Sequence, residues 1–192
     1  MADRKEEIVE AALDIFAKKG YFNSRVAEIV EKVGIAKGTF YLYFNSKKDL
    51  FLEMIHRYEQ LVEENINLEV LKDNEITLEE KFTQITKNYF NFYLKNRKLT
   101  NVIQREAVSI DDDFFKELQK MKISTDEIYR QIYEILIENN EISKENDFEM
   151  FINLFSGVIN SYIMRNSIIL ERKIDVEKRS QEIAWYMVKA LK

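Results

Sequence analysis

The sequence predicts an all-α fold on two observations. The 192-residue chain contains no proline, and three of its four glycines lie within the first 38 residues, so neither residue type interrupts helices further along the chain. Apolar residues recur every three or four positions in most segments, which is the spacing of helices with one buried face. An apolar content of 46% is sufficient for a packed core at this length.

The N-terminal segment combines short helices with glycine turns. A first helix is predicted to begin near Asp3, a good N-cap residue, and to end at Gly20. A second helix is predicted from about 25 to 33, and a third from about 37 to 44 after the glycine turn that follows residue 33. The order of short helix, glycine turn and short helix is that of a helix-turn-helix unit.

Beyond Leu50 the chain changes to longer helices separated by polar residues. The predicted spans are 47–70, 77–95, 98–108, 112–139, 144–171 and 175–191. Thr77, Ser143 and Asp175 are the predicted N-caps of three of them. With the N-terminal three, the chain is expected to contain about nine helices, and the change in pattern places a domain boundary between residues 46 and 47.

The formal net charge of −5 is unevenly distributed, and it argues against a protein that coats nucleic acid generally. Residues 1–50 contain nine Lys and Arg against eight Asp and Glu, whereas the remainder contains twenty against twenty-six. Between residues 25 and 48 five basic residues face two acidic ones. A nucleic-acid contact is therefore expected in this N-terminal segment.

The residues that enzymes need are scarce. The chain has no cysteine and one histidine, His56, which excludes Cys-His nucleophiles and histidine-rich metal sites. It has neither a nucleophile-elbow motif nor a glycine-rich phosphate loop. The acidic run 111–113 is interpreted as favouring a helix N-terminus, although it has ligands for a hard cation. We expect no catalysis, no metal and no cofactor. The charged N-terminus and the absence of long apolar stretches predict a cytoplasmic protein without a membrane contact.

The stretch 33–44, VGIAKGTFYLYF, resembles the TetR family of transcriptional regulators, together with Gly20-Tyr21 before it and Ser46-Lys47 after it. The likeness covers about residues 5–55. It implies a helix-turn-helix DNA-binding domain at 1–46 and an effector-binding and dimerisation domain at 47–192. We expect a homodimeric repressor that binds a pseudo-palindromic operator in double-stranded DNA and leaves it when a small molecule binds.

The predicted third helix combines buried anchors, Phe40 and Phe44, with a polar edge that can face a DNA groove. Gly38 has no side chain to hold the backbone away from DNA, and the lysine and threonine beside it can reach base edges. The residues predicted to contact DNA are Ser24, Arg25, Ala36, Lys37, Gly38, Thr39, Tyr41, Leu42, Tyr43 and Lys47.

Lys47 and Ala36 compare differently with the family's pattern. Lys47 is similar to the family's phosphate-contacting lysine, and the helix N-terminus at which it stands also favours an anion; a plain solvated lysine is the alternative. Ala36 departs from the family, which commonly has serine there. Alanine cannot cap the third helix and offers DNA only a methyl group.

The middle helices are rich in aromatic residues and contain a few polar ones, and the resemblance implies a ligand cavity among them. The predicted effector-binding residues are Phe82, Tyr89, Phe90, Tyr93, Gln104, Arg105, Phe114, Leu118, Tyr129, Phe155 and Asn160. The alternative is that the aromatic rings pack a core and neighbouring side chains satisfy the polar groups.

The expected effector is apolar or amphipathic. The segment Gln104-Arg105-Glu106, followed by Phe114, Phe115 and Leu118, resembles the branch of the family that regulates fatty-acid metabolism, whose effectors are acyl-CoA thioesters. A helical acyl-thioester-binding protein without DNA binding is the alternative from another functional class.

The last two predicted helices carry apolar residues on more than one side, which suits a core and a partner's surface together. The residues predicted for the dimer interface are Phe151, Leu154, Val158, Ser161, Tyr162, Trp185 and Val188. The alternative is that these helices are the central ones of a monomeric bundle.

Overall fold

The structure, a computed structural model, describes residues 4–65, 68–106 and 112–192, apart from the side chain of Leu118. The predicted cap Asp3 and the first residue of the acidic run, Asp111, lie outside the described residues. The described ranges contain helices and connecting turns but no β-strand. The predicted all-α fold is confirmed.

The predicted helices are all present, with shifted ends. They are α1 (Arg4–Lys19), α2 (Val26–Val33), α3 (Lys37–Tyr41), α4 (Lys47–Asn65), α5 (Glu69–Lys72), α6 (Leu78–Lys95), α7 (Arg97–Glu106), α8 (Asp112–Glu138), α9 (Phe148–Ile163) and α10 (Val176–Leu191). The short α5 was not predicted, and α9 continues into a π-helix at Met164–Ile169. In the ranges described, no helix is long and apolar enough to cross a bilayer.

The chain forms two compact units, and each unit is discontinuous in sequence. The first consists of Met1–Val62 with Asn96–Met121, and the second of Glu63–Lys95 with Lys122–Lys192. Most of α4, all of α7 and the start of α8 therefore pack with the N-terminal helices. The predicted boundary between residues 46 and 47 separates a DNA-binding domain from an effector-binding domain by function and not by packing. It stays a prediction.

The first unit has an aromatic core beneath α1 and α2. The rings of Phe16, Tyr21, Phe51 and Phe114 contact one another, with centroids 5.2–5.9 Å apart. Such tilted and edge-on contacts are the favoured geometry of aromatic pairs. They join residues from α1, the following turn, α4 and α8 in one cluster.

The turn between α2 and α3 is built on Gly34. This residue has φ of +74°, a left-handed conformation that glycine adopts without steric cost. Its N–H donates to the Val30 carbonyl at 2.9 Å, and the Ile35 N–H donates to the same oxygen at 3.0 Å, which ends α2. The fully buried Phe40 then holds α3 against the unit.

The second unit is built from α6, α8, α9 and α10, and it contains the three predicted caps. Thr77 caps α6 as predicted, since its Oγ1 accepts from the Glu80 N–H at 3.2 Å. Asp175 caps α10 as predicted, by accepting from the Lys178 N–H at 3.2 Å. The predicted cap Ser143 is wrong for α9, which begins later: Asp147 accepts from the Met150 N–H at 3.0 Å. The Asp147 carboxylate lies directly before the first helical turn.

Candidate nucleic-acid interface

The exposed face of α3 is the centre of the candidate interface. Phe40 and Phe44 are buried, as predicted, and they leave the opposite face of the helix to solvent. Leu42 is 83% exposed. The other predicted contacts here are exposed or, in the case of Thr39, half-buried: Ala36, Lys37, Gly38, Thr39, Tyr41 and Tyr43. A short helix is thus held by apolar anchors while its polar edge stays accessible.

Gly38 is free of any requirement from the fold. Its φ is not positive, and a Cβ built there would meet no protein atom within 4 Å. The bare backbone at this position consequently serves no packing purpose within the chain. It allows another molecule to approach α3 closely.

Ala36 stands at the N-cap of α3 and makes no side-chain capping bond, as predicted. Its backbone is extended, with φ −69° and ψ 148°, and its carbonyl accepts from the Thr39 N–H at 2.9 Å. The N-terminal end of this helix therefore presents a methyl group rather than a hydroxyl.

The start of α2 forms the edge of the interface. Arg25 is its N-cap, and the Arg25 N–H donates to the Glu28 carboxylate at 3.0 Å while the guanidinium side chain is exposed. Ser24 differs from expectation because its side chain is buried: its Oγ donates to the Tyr21 carbonyl at 2.6 Å. The Ser24 hydroxyl thus stabilises the turn instead of facing outward.

Lys47 is held by backbone carbonyls. Its Nζ donates to the Tyr21 carbonyl at 2.5 Å and to the Ser24 carbonyl at 2.8 Å, and it lies 4.1 Å from the centroid of the Tyr21 ring. Burial lowers the pKa of the Lys47 ammonium, against the opposing charge of Glu28. Since an ammonium has three N–H donors, one donor remains for an anion.

Ion pairs neutralise two acidic residues of α1 and α2, Asp14 and Glu28. Glu28 pairs with Lys19, and the Lys19 hydrogen bond lowers the pKa of the Glu28 carboxyl. Asp14 pairs with Lys32 at 2.5 Å. Arg25 and Lys37 have no ion-pair partner in the part of the chain that the structure describes, so their charges are available to a polyanion.

Residues 8–54, the segment that contains this interface, match the family model described as "Bacterial regulatory proteins, tetR family". The Fatty acid metabolism regulator protein of Bacillus subtilis is 24% identical over 189 residues, which is 96% of this chain and 94% of that protein. The HTH-type regulator YerO of the same organism is 23% identical over 192 residues, and this chain spans only 64% of its length.

Two solved structures have the same fold over nearly the whole chain. FadR from Bacillus subtilis in complex with stearoyl-CoA has a TM-score of 0.75 at 22% identity, and the match covers 97% of this chain and 99% of that one. FadR from Bacillus halodurans has a TM-score of 0.80 at 18% identity, covering 98% and 96%. The chain belongs to the TetR family of transcriptional regulators. It is a DNA-binding regulator and not an enzyme.

Most residues predicted to bind the effector of this TetR-family regulator lie together in its second unit. The Tyr89 hydroxyl hydrogen-bonds to Asn160 Oδ1 at 2.6 Å, which joins α6 to α9. Ring contacts of 5.7–5.8 Å connect the same helices and α8. The predicted members of this cluster are Phe82, Tyr89, Phe90, Tyr93, Tyr129, Phe155 and Asn160. Their role in effector binding stays a prediction.

The other predicted effector residues belong to the first unit. Gln104 is exposed, and Arg105 donates to the Phe16 carbonyl at 2.7 Å and to Glu106 at 2.5 Å. Phe114 is fully buried in the aromatic core, and the side chain of Leu118 lies outside the described residues. Arg105 and Phe114 therefore have partners within their own unit, because α7 packs against α1 and the Phe114 ring contacts those of Tyr21 and Phe51.

The described surface of the second unit contains a groove that sequence patterns did not predict. It has a volume of about 420 Å³ and lies between the end of α4 and α8. Its lining residues are Glu63, Leu68, Ser124, Glu127, Ile128 and Gln131. These are ordinary surface residue types, and nothing in their spacing distinguishes them from a solvated helix face.

The predicted interface residues of α9 and α10 are mostly accessible. Val158, Ser161 and Trp185 are exposed, whereas Leu154, Tyr162 and Val188 are partly buried. Phe151 differs from expectation: it is fully buried, and its ring lies 5.8 Å from that of Phe155 and 5.4 Å from that of Tyr133. It belongs to the core of its own chain, where it packs against a ring of α8 and a ring of α9.

Proposed function

We propose that this TetR-family regulator is a homodimeric repressor whose two α3 helices enter successive major grooves of a pseudo-palindromic operator. The observation that carries the proposal is the exposed edge of α3, where an accessible Lys37 and a bare Gly38 lie above a buried Phe40. In a dimer of such units, the half-sites would be spaced by about one helical turn, roughly 34 Å, or somewhat more.

The DNA contacts divide into two kinds in this proposal. Lys37 and Thr39 reach base edges and give sequence preference, while Lys47 and Arg25 contact phosphates and fix the register. The Tyr41 and Tyr43 hydroxyls donate to phosphates on either side of α3. Leu42 and the Ala36 methyl contribute apolar contacts, for which a thymine methyl is suited.

An exposed apolar stripe on α9 and α10 supports dimerisation. Met150, Val158 and Trp185 are between 41% and 58% exposed, and Leu154 and Val188 lie beside them. Large exposed apolar patches mark interaction surfaces. A second copy of the chain would cover the same stripe on both subunits and give the two-fold symmetry that a palindromic operator requires.

The effector proposed here is a long-chain acyl-CoA thioester. The B. subtilis relative named as a fatty acid metabolism regulator matches this chain over 94% of its own length, and the FadR structure from that organism contains stearoyl-CoA. In this chain, the aromatic cluster of α6, α8 and α9 offers an apolar environment for an acyl chain. The Tyr89 and Asn160 pair offers hydrogen-bonding groups within it.

The DNA-binding proposal is tested by selecting operators from a random duplex pool and measuring affinity against salt concentration. Wild-type affinity should fall steeply with salt because phosphate contacts release counterions. Lys37→Ala should relax sequence preference, and the exposed Lys173→Ala, far along the chain in the second unit, is the charge-matched control. Absence of any DNA binding at low salt would reject the proposal.

The effector proposal is tested by thermal unfolding and operator release with stearoyl-CoA, coenzyme A alone and stearate. Stearoyl-CoA should raise the melting temperature and release the operator, since a ligand that binds one state better shifts the equilibrium toward it. Coenzyme A alone should do neither. Equal effects of all three compounds, or no effect of stearoyl-CoA, would contradict an acyl-CoA effector.

A further inference from the structure

Tyr21, in the turn between α1 and α2, is bonded to a residue from a distant part of the chain. Its backbone N–H donates to the Glu106 Oε2 at 3.0 Å, and Glu106 is 85 residues away at the end of α7. The Glu106 side chain is buried. A buried carboxylate that accepts from a backbone N–H is a strong, charge-assisted contact.

The carbonyl of the same residue is bonded from the other side. It accepts from Lys47 Nζ at 2.5 Å and from Ser24 Oγ at 2.6 Å. We call Tyr21, Ser24, Lys47 and Glu106 the Tyr21 network. One residue of the turn is thus held at its N–H by α7 and at its carbonyl by the first residue of α4.

Two neighbouring features allow this arrangement. Gly20 has φ of +83°, and a Cβ built on it would lie 3.4 Å from Glu106 Oε1, so glycine leaves the carboxylate room. Arg105 donates to the Phe16 carbonyl at 2.7 Å, near the end of α1. The last two residues of α7 therefore fix both the end of α1 and the turn that follows it.

We propose that Glu106 is a positioning residue for DNA binding. By holding the Tyr21 peptide, it fixes the carbonyls that orient the Lys47 ammonium and the N-terminal end of α2, where Arg25 stands. A displacement of Glu106 would move both sets of phosphate contacts without any change in the residues that touch DNA. This inference rests on the DNA contacts proposed above.

The test compares Glu106→Ala and Glu106→Gln in operator binding. Loss of the carboxylate leaves the Tyr21 N–H without its acceptor, and we expect Glu106→Ala to bind the operator about tenfold more weakly. The salt dependence should become shallower than that of the wild type, because the displaced Lys47 and Arg25 contact fewer phosphates. Glu106→Gln should recover most of the affinity, since its amide oxygen can accept the same N–H.

Amide hydrogen exchange at Tyr21 supplies a readout that does not depend on DNA. Exchange should accelerate in Glu106→Ala and stay slow in Val102→Ala, which removes buried volume from the same helix and serves as the stability-matched control. If Glu106→Ala does not fold, Glu106→Asp shortens the reach of the carboxylate and should give an intermediate loss.

Wild-type exchange and affinity in Glu106→Ala would overturn the inference, as would an equal loss of affinity in Val102→Ala. A wild-type protein that binds no DNA would instead reject the proposed function. In that case Tyr21 exchange still reports whether Glu106 holds the turn.

Discussion

Gly38 is the residue at which stability and DNA binding are expected to oppose each other. A Cβ there meets nothing within the chain, and alanine is the better helix former. We expect Gly38→Ala to raise the free energy of unfolding by about 0.5–1 kcal/mol. Operator affinity should fall because the methyl group separates α3 from DNA. Urea denaturation and operator titration measure the two effects, and an unchanged affinity would show that DNA does not approach this backbone.

The lowered pKa of Lys47 predicts how operator binding depends on pH. Burial places its pKa below the ordinary lysine value of 10.5 in the free protein, and a bound phosphate would raise it again. At pH values between the free-state pKa and the bound-state pKa of Lys47, operator binding therefore takes up a proton. Affinity should decline as pH rises through the free-state pKa.

In Lys47→Arg that alkaline decline should be smaller, because a guanidinium keeps its charge throughout this range. Operator titrations from about pH 7 to 10 compare the two proteins. Parallel pH profiles would indicate that Lys47 contacts carbonyls only and that other groups cause the decline.

At the scale of elements, the sequence predicted best what local chemistry determines. Gly34 ends α2 because few other residues adopt a positive φ, and the spacing of Phe40 and Phe44 predicts their burial. These features depend on neighbours within a few positions. The orientation of α3 and its exposed edge follow from them directly.

Contacts between distant segments could not be predicted in this way. The pattern of α7 gives no indication that Glu106 reaches Tyr21, because the contact depends on how α7 packs against α1. The partners of Arg105 and Phe114 in the first unit are likewise not indicated by the spacing of residues along α7 and α8. Local periodicity identifies an inward face but does not say which element covers it.

Lys81 of α6 also contacts distant segments in a way that the sequence does not indicate, and these contacts predict its effect on stability. It is 1% exposed; its Nζ donates to the Leu71 carbonyl of α5 at 2.9 Å and to Glu141 at 2.5 Å. Removing one partner of a buried pair leaves the other charge uncompensated, so Lys81→Met should cost about 3 kcal/mol. Lys87→Met on the same helix breaks the more exposed pair with Glu177 and should cost less than about 1 kcal/mol.

Urea denaturation measures the loss in the free energy of unfolding for Lys81→Met and for Lys87→Met. Similar losses for the two substitutions would mean that the Lys81 pair is hydrated in solution. A large loss confined to Lys81→Met would show that this pair holds α5 and the α8–α9 connection to α6.

For the whole molecule, the exposed stripe on α9 and α10 predicts the oligomeric state. Val158 in this stripe is 41% exposed, and Leu94 on α6, outside the stripe, is 42% exposed. An arginine in a dimer interface would be desolvated without a partner, whereas an arginine on a free surface stays hydrated. Val158→Arg should therefore give a folded monomer, and Leu94→Arg should remain a dimer.

Sedimentation equilibrium measures the mass of each variant, and circular dichroism checks that both are folded. The monomer should also bind the operator about 10²-fold or more weakly, because a dimer gains from having its second recognition helix tethered near the second half-site. A half-site duplex separates this effect from damage to α3: both variants should bind it equally. A dimeric Val158→Arg protein would show that the dimer interface does not include this stripe. Equal affinities of the two variants for the full operator would mean that the two α3 helices do not bind it together.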